Sequence, residues 1–196
     1  MPRRARVLID GGYYHILTRG NDRRKLFRYK SDYRYFINIL KKYLAKSNLN
    51  ILNYCIMPNH IHLLIRAEIA QELPKFMQGV LQVYADCFRK KYNSTGFVFQ
   101  NRYKSLLIEK DSYLFEYGRY IERNPLRAGI VQNLSDYEFS SYAFYAEGIK
   151  DKLITVMNPL YLELAQNEIE RRQLYKKHVL TERPYEVIVD QALRIS

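Results

Sequence analysis

An apolar run that carries two histidines, Met57 to Ile65, most constrains the structure this chain can adopt. Its Ile- and Leu-rich composition is typical of a buried β-strand. Successive strand side chains point to opposite faces of a sheet, so His60 and His62 share one face and Ile61 lies on the other. Two neutral imidazoles placed side by side can bind a divalent cation.

Strand and helix patterns alternate along the first two thirds of the chain. Strands are predicted at 13–18, 49–57, 60–67 and 103–109, and helices at about 31–48, 71–92 and 111–124. Pro125 is expected to end the third helix, because the residue before a proline disfavours the α region. The order predicts an α+β fold, a ferredoxin-like split βαβ antiparallel sheet with helices on one face. Helical patterns at 158–180 and 184–194 predict a C-terminal helical extension, and hence a division into residues 1–150 and 151–196.

The composition is that of an ordinary soluble protein, with 196 residues and 47% hydrophobic content. It contains no 18-residue apolar run, so we expect no membrane partner and no transmembrane helix. The basic start is not followed by a long apolar segment, which argues against a secretory signal. Cys55 and Cys87 lie in apolar segments and are expected to be buried thiols, which favours a cytoplasmic location.

The positive charge is concentrated near the histidine pair. Residues 1–66 hold 14 Lys/Arg against 3 Asp/Glu, whereas residues 67–150 hold 11 against 10 and residues 151–196 hold 7 against 7. A concentrated basic face is typical of a nucleic-acid partner, although a solvated basic surface gives the same count. The 19 tyrosines, with no tryptophan, add faces for base stacking and hydroxyls for phosphate contacts.

The third predicted helix carries a second set of candidate residues. Tyr120 and Asn124 are four apart and share a helical face. Tyr113 and Tyr117 are expected to pack on the sheet instead. Tyr120 and Asn124 thus bring a potential nucleophile and a potential metal ligand within one turn of each other.

Three segments in order resemble the single-tyrosine transposases of the His-hydrophobe-His endonuclease superfamily. They are Tyr14–Asn21, Met57–Leu64, and Gln100–Ser105 followed by Tyr120–Gly129. The chain is most similar to the REP-associated tyrosine transposases and their insertion-sequence relatives. The resemblance covers about residues 10–135, and the residues beyond 150 add no motif to it.

The resemblance implies nicking and rejoining of single-stranded hairpin DNA through a 5′-phosphotyrosine intermediate. Tyr120 would be the nucleophile, and His60, His62 and Asn124 would hold Mg²⁺ or Mn²⁺. Candidate DNA contacts are His15, Arg19, Asn21, Arg23, Arg24, Arg102, Lys104, Arg123 and Arg127. His15 could equally be an ordinary buried strand histidine, and the basic turn could simply be solvated. Arg123 and Arg127 are also candidates to activate the tyrosine.

Several alternatives stay open at this point. The chain could be a non-catalytic single-stranded DNA- or RNA-binding module on the same scaffold. It could act as a homodimer that exchanges the catalytic helix, or as a monomer. A structural zinc site is disfavoured because Cys55 has no second cysteine near it. Glu109, Glu122 and His178 are expected on the surface.

Overall fold

The computed structural model describes residues 6–109 and 111–182. Four strands form one sheet, namely β1 (Gly12–Arg19), β2 (Leu49–Ile56), β3 (His60–Ala67) and β4 (Lys104–Ile108). The longer helices are α1 (Lys30–Leu44), α2 (Glu72–Tyr92), α3 (Asp111–Arg127) and α6 (Glu168–Leu180), and the shorter ones are α4 (Tyr142–Glu147) and α5 (Pro159–Leu162). Short 3₁₀ turns lie at Asn21–Arg23 and Leu134–Asp136.

The sheet has the strand order β2-β3-β1-β4, and every neighbouring pair is antiparallel. This arrangement confirms the α+β, ferredoxin-like split βαβ fold predicted from the order of the elements. The register places Arg19 opposite His60 and Leu17 opposite His62. Because residues paired across strands lie on the same face, the central strands β1 and β3 build one face around the two histidines.

The two faces of the sheet carry different helices. Ile61 and Leu63 on one face belong to the same apolar core as Phe36 of α1 and Val80 of α2. Helix α3 contacts β2, β3 and β4, and its Tyr120 packs on His62 on the other face. Helices α1 and α2 are thus the helices expected on one face of the sheet. Helix α3 lies on the opposite face and covers the histidines.

Helix α3 continues through Pro125 to Arg127, so the prediction that it ends before the proline is wrong. A proline has no N–H to donate to the carbonyl four residues earlier, here that of Ile121. The Asn124 side chain replaces that donor, because its Nδ2 donates to the carbonyl oxygens of Tyr120 (2.8 Å) and Ile121 (3.2 Å). The helix can therefore pass the proline without leaving a buried acceptor unpaired.

The C-terminal residues pack back onto the domain. Helix α6 contacts α3 and α4, and its Tyr175 and Val179 are buried in the common core. The predicted helix at 158–180 is divided into α5 and α6, and the helix predicted at 184–194 lies outside the described residues. Across residues 6–109 and 111–182, no helix combines the length and apolar character needed to cross a membrane.

Candidate active site

Helix α3 brings Tyr120 over the histidine face of the sheet. The Tyr120 ring centroid lies 5.8 Å from that of His62 and 5.9 Å from that of His15. His60 and His62 are adjacent, with ring centroids 4.9 Å apart. Tyr117, one turn earlier on the helix, lies 5.3 Å from His15. The structure thus brings the predicted nucleophile beside the predicted metal-binding pair.

The neighbours of His60 determine which of its nitrogens could bind a metal. Its Nδ1 lies 2.6 Å from Oδ1 of Asn59, and Nδ2 of Asn59 donates to the carbonyl of Arg23. This second bond orients the amide so that its oxygen faces His60. Since an oxygen can only accept, Nδ1 of His60 must carry the hydrogen and Nε2 keeps its lone pair.

His62 has a comparable partner on the neighbouring strand. Its Nδ1 lies 2.9 Å from Nε2 of His15, and the two rings are stacked at 24°. When His62 donates from Nδ1 to His15, its Nε2 is left with a free lone pair. His15 is fully buried, so it is not available to contact DNA in this conformation. The alternative of a buried strand histidine is therefore the one observed, and a contact of His15 with DNA stays a prediction.

The electrostatics keep the three imidazoles neutral. Burial lowers the pKa of His15 to about 3 and that of His60 to about 4, and it holds the pKa of His62 well below its usual value. The charge of Arg19 further lowers the pKa of His60, and a hydrogen bond with Asn124 opposes this shift. Neutral imidazole is the form that binds metal ions.

Asn124 completes the possible ligand set. Its Nδ2 donates to two carbonyl oxygens of its own helix, which leaves Oδ1 as the atom available on the side of His60. Within the part of the chain that the structure describes, no group of three His, Cys, Asp or Glu side chains could hold a metal ion. A site here therefore depends on an amide oxygen as the third ligand. Two imidazole nitrogens and one neutral oxygen fit a divalent cation and leave its charge uncompensated.

A cation also lies beside the candidate nucleophile. The guanidinium carbon of Arg127 is 5.3 Å from the centre of the Tyr120 ring. Tyr120 itself is only 4% exposed, whereas Arg127 is exposed and His60 is half-buried. A nearby positive charge favours the phenolate form of a tyrosine. The site is thus reached from the side where His60 and Arg127 meet solvent.

The predicted basic turn borders this entrance. The backbone N–H of Gly20 donates to the carbonyl of Asn59, which ties the turn to the residue before His60. Asn21, Arg23 and Arg24 follow it, and the left-handed φ of 55° at Arg23 is a strained conformation for a residue other than glycine. The structure brings the backbone of this turn beside Asn59, whereas the Arg24 side chain donates to Ser94 at 3.0 Å. The role of the three side chains in DNA binding stays a prediction.

Two grooves lie along β4 and the loop before it. One of about 820 Å³ is lined by Arg6, Asn101, Arg102 and Lys104, among others. The other, of about 810 Å³, is lined by residues that include Arg6, Arg89, Phe97, Gln100 and Arg102. The N–H of Gln100 donates to the carbonyl of Arg19, so the second groove passes the end of β1.

Phe97 was not predicted from the sequence as a candidate, and its side chain is 81% exposed at the edge of the second groove. Its place just before Gln100-Asn101-Arg102 is a usable signal, because an aromatic ring among polar and basic residues suits base stacking. Asn59 was not predicted either, although its position next to His60 could have suggested it as the residue that orients the His60 ring.

Two charged residues of α3 lie elsewhere than predicted. Arg123 is 3% exposed and donates to the carbonyl oxygens of Val179 and Leu180, and its role in DNA binding stays a prediction. Glu122 is fully buried, and its carboxylate accepts hydrogen bonds from Asn53, Ser141 and Tyr175. Burial raises the pKa of Glu122 to about 7.

His178 is half-buried, because its ring stacks on Phe115 with centroids 4.1 Å apart. Tyr113, by contrast, was expected to pack on the sheet and is 41% exposed. Neither residue lies among the groups that surround His60 and His62. These differences therefore leave the candidate site unchanged.

Comparisons with known proteins show the family of the chain. Residues 9–124 match the family model described as transposase IS200 like. A Haemophilus influenzae protein named as a REP-associated tyrosine transposase is 27% identical over an alignment of 154 residues that covers 70% of this chain and 83% of that protein. The solved structure of a REP-associated tyrosine transposase bound to a REP hairpin has a TM-score of 0.63 at 19% identity, covering 80% of this chain and 92% of its own.

The structural likeness shows a shared fold, and the family model shows the family. Its match spans more than half of the chain and contains the histidine strand, Tyr120 and Asn124. The chain therefore belongs to the IS200-like transposase family.

Proposed function

We propose that the protein nicks and rejoins single-stranded hairpin DNA, with Tyr120 as the nucleophile and a Mg²⁺ or Mn²⁺ ion held by His60, His62 and Asn124. One observation carries the proposal: both histidines have Nδ1 engaged by a neighbour, and Asn124 has its Nδ2 engaged by its own helix. Each of the three side chains therefore has one metal-binding atom left. Tyr120 lies against this set.

The metal would polarise the scissile phosphate and neutralise the negative charge that develops on it. The phenolic oxygen of Tyr120 attacks the phosphorus in line, on the side opposite the leaving 3′ oxygen. A bond forms between the phenolic oxygen and phosphorus, and the bond from phosphorus to the 3′ oxygen breaks. The phenol loses its proton, the 3′ oxygen gains one, and the 5′ phosphate stays on the tyrosine. Because the phosphodiester energy is retained in the covalent link, the reverse reaction rejoins a strand without ATP.

Two arginine side chains, those of Arg127 and Arg19, would also assist the attack on phosphorus. Arg127 lies over the Tyr120 ring and favours loss of the phenol proton. Arg19 is paired opposite His60, and its Nε is buried without a hydrogen-bond partner among the described residues. A phosphate oxygen next to His60 would satisfy that donor.

A hairpin is the proposed DNA form because a relative of the same fold is bound to a REP hairpin. In this chain the strand next to the cleavage point would pass His60 and Arg19 and follow the grooves along β4. Arg102 and Lys104 would contact phosphates, and Phe97 would stack on a base. Asn21, Arg23 and Arg24 would contact the DNA on the other side of the entrance.

A nicking assay tests the proposal. The substrates are end-labelled single-stranded hairpins from the DNA that flanks the gene, incubated with Mn²⁺ or Mg²⁺. We expect a specific cleavage product that disappears with EDTA and in the variant His60→Ala, while binding of the hairpin in EDTA persists. Tight hairpin binding without any product in either metal would contradict the proposal and favour the non-catalytic binding module.

A further inference from the structure

Three adjacent faces of helix α3 contact three different parts of the protein. Tyr120 and Asn124 face the histidines of the sheet. Arg119 and Arg123, each one residue earlier, face the end of α6. Glu122 faces Asn53 of β2 and also α6. The groups that the proposed reaction uses are therefore interleaved with groups that hold the helix in place.

The two arginines donate hydrogen bonds to consecutive carbonyl oxygens at the C-terminal end of α6. Arg119 donates from Nε to the carbonyl of His178 at 3.0 Å and from Nη2 to that of Thr181. Arg123 donates from Nη1 to the carbonyls of Val179 at 2.9 Å and Leu180 at 3.0 Å. The final carbonyls of a helix lack partners within the helix and carry its negative dipole end. Two guanidinium groups thus complete the C-terminus of α6.

Both arginines are buried, so their charges depend on these hydrogen bonds. Arg119 is fully buried and Arg123 is 3% exposed, and a buried charge is tolerated only where its donors are paired. Glu122 adds a third contact, since its carboxylate accepts from the hydroxyl of Tyr175 in the middle of α6. Helix α6 is therefore attached to α3 at two levels along its length.

We propose that residues 168–182 are a positioning element for the catalytic helix, with Arg119 and Arg123 as positioning residues. They set the rotation and height of α3 above the sheet, so that Tyr120 and Asn124 meet His60 and His62 of the same chain. This inference rests on the proposed function of the site. It gives the C-terminal extension a role that the transposase motifs do not explain.

The geometry of a helix explains why this attachment matters. Each residue adds about 100° of rotation and about 1.5 Å of rise, so a small rotation of α3 moves Tyr120 and Asn124 together. A misplacement of about 1 Å can slow a reaction by about a hundredfold. The candidate DNA contacts on the basic turn and on the loop before β4 do not belong to α3. Loosening α3 should therefore impair chemistry and metal binding, and spare hairpin binding.

The test compares the double variant Arg119→Gln/Arg123→Gln with the control Lys41→Gln/Lys42→Gln. The control also removes two positive charges. Its two lysines are exposed on α1, outside both α3 and residues 168–182. We expect the single-turnover cleavage rate at saturating hairpin to fall by about tenfold or more in the first variant and by less than about twofold in the control. The Kd for the hairpin should stay within about twofold in both.

A second readout does not depend on cleavage. Because Asn124 would move with α3, the affinity for Mn²⁺ measured by titration calorimetry should fall by about tenfold in the first variant and not in the control. If the unaltered protein binds Mn²⁺ but never cleaves, the proposed function fails while this comparison still tests the positioning element. Unchanged Mn²⁺ affinity and cleavage rate in a cooperatively folded double variant would overturn the inference.

Folding of the variants is checked by thermal melting. Should the double Gln variant lose its cooperative transition, the single variants Arg119→Lys and Arg123→Lys take its place, since they keep the charge but lose the planar fork of donors. A cleavage rate and Mn²⁺ affinity equal to those of the unaltered protein in both Lys variants would again overturn the inference.

A mixing experiment tests the statement that α3 serves its own chain. His60→Ala and Tyr120→Phe are each expected to be inactive, and the mixture is expected to stay inactive because α6 holds α3 over its own sheet. Activity in the mixture would mean that the helix is exchanged between two chains and would contradict the proposal.

Discussion

Nδ1 of His62 and Nε2 of His15 lie 2.9 Å apart between neighbouring strands, with both rings buried. Where His62 donates from Nδ1 across this contact, its Nε2 keeps a lone pair that could bind a metal ion. In the proposed metal site, His15 would therefore act through His62.

The first prediction concerns this pair. His15→Phe keeps a stacked ring but removes the acceptor, so we expect Mn²⁺ affinity to fall by about 10- to 100-fold. His15→Gln retains an oxygen that can accept from Nδ1 and should recover part of that affinity. Titration calorimetry with Mn²⁺ measures both variants. Equal affinities in the two variants would contradict the assigned tautomer.

The second prediction separates two roles of Asn124. Asn124→Ala removes the proposed ligand and also leaves the carbonyl of Ile121 without a donor, so stability should fall by about 1–3 kcal/mol. Adding Pro125→Ala returns a backbone N–H to that carbonyl. The double variant should therefore regain stability in urea unfolding and remain unable to cleave the hairpin, with Pro125→Ala alone as the control. Recovery of cleavage in the double variant would exclude Asn124 as a ligand.

The third prediction concerns the exposed ring of Phe97. Phe97→Ala should weaken binding of a hairpin with a single-stranded flank by about 1–3 kcal/mol and leave the salt dependence unchanged. Arg102→Gln should instead reduce the slope of log K against log salt by about 0.7. Ile169→Ala, which removes another exposed apolar side chain on α6, is the control. Fluorescence anisotropy at several salt concentrations measures all three, and a loss of affinity in the control equal to that in Phe97→Ala would rule out specific stacking.

The sheet and the histidine pair were predictable because their signals are local. The period of two in β3 places His60 and His62 on one face, and the period of 3.6 places Tyr120 and Asn124 on one side of α3. The passage of α3 through Pro125 was not predictable from backbone preference. It depends on a side chain, that of Asn124, acting in place of the missing N–H.

The burial of charged residues was the other failure of sequence reasoning. Glu122 and Arg123 belong to residue types that are nearly always exposed unless paired. Their partners are far away in sequence: Asn53 lies 69 residues from Glu122, and Val179 lies 56 residues from Arg123. No local pattern reports such contacts. The spacing of four between Arg119 and Arg123, next to Tyr120 and Asn124, is the one hint that both sides of the helix are in use.

The fourth prediction follows from the raised pKa of Glu122. The folded state holds the proton up to a pKa of about 7, whereas the ordinary value is 4.5, so the folded state binds the proton more tightly than the unfolded state. The stability that this provides is fully present below pH 4.5 and is lost as the pH rises through 7. The buried histidines have lowered pKa values and shift stability in the opposite direction.

The variant Glu122→Gln isolates this effect, because the contributions of the histidines cancel in the difference from the unaltered protein. Relative to the unaltered protein, its free energy of unfolding should rise by about 3 kcal/mol between pH 4 and pH 8.5. Urea unfolding at several pH values measures the difference. A difference that does not change with pH would show that the carboxyl is not held protonated by the fold.

The most direct test of the central claim is to trap and locate the covalent intermediate. The protein is incubated with labelled hairpin DNA and Mn²⁺, denatured, and digested for mass spectrometry, alongside Tyr120→Phe, Tyr117→Phe and an EDTA control. The account predicts a 5′-phosphate adduct on Tyr120 that is absent with EDTA and in Tyr120→Phe and persists in Tyr117→Phe. An adduct that survives in Tyr120→Phe, or that forms fully in EDTA, would contradict it.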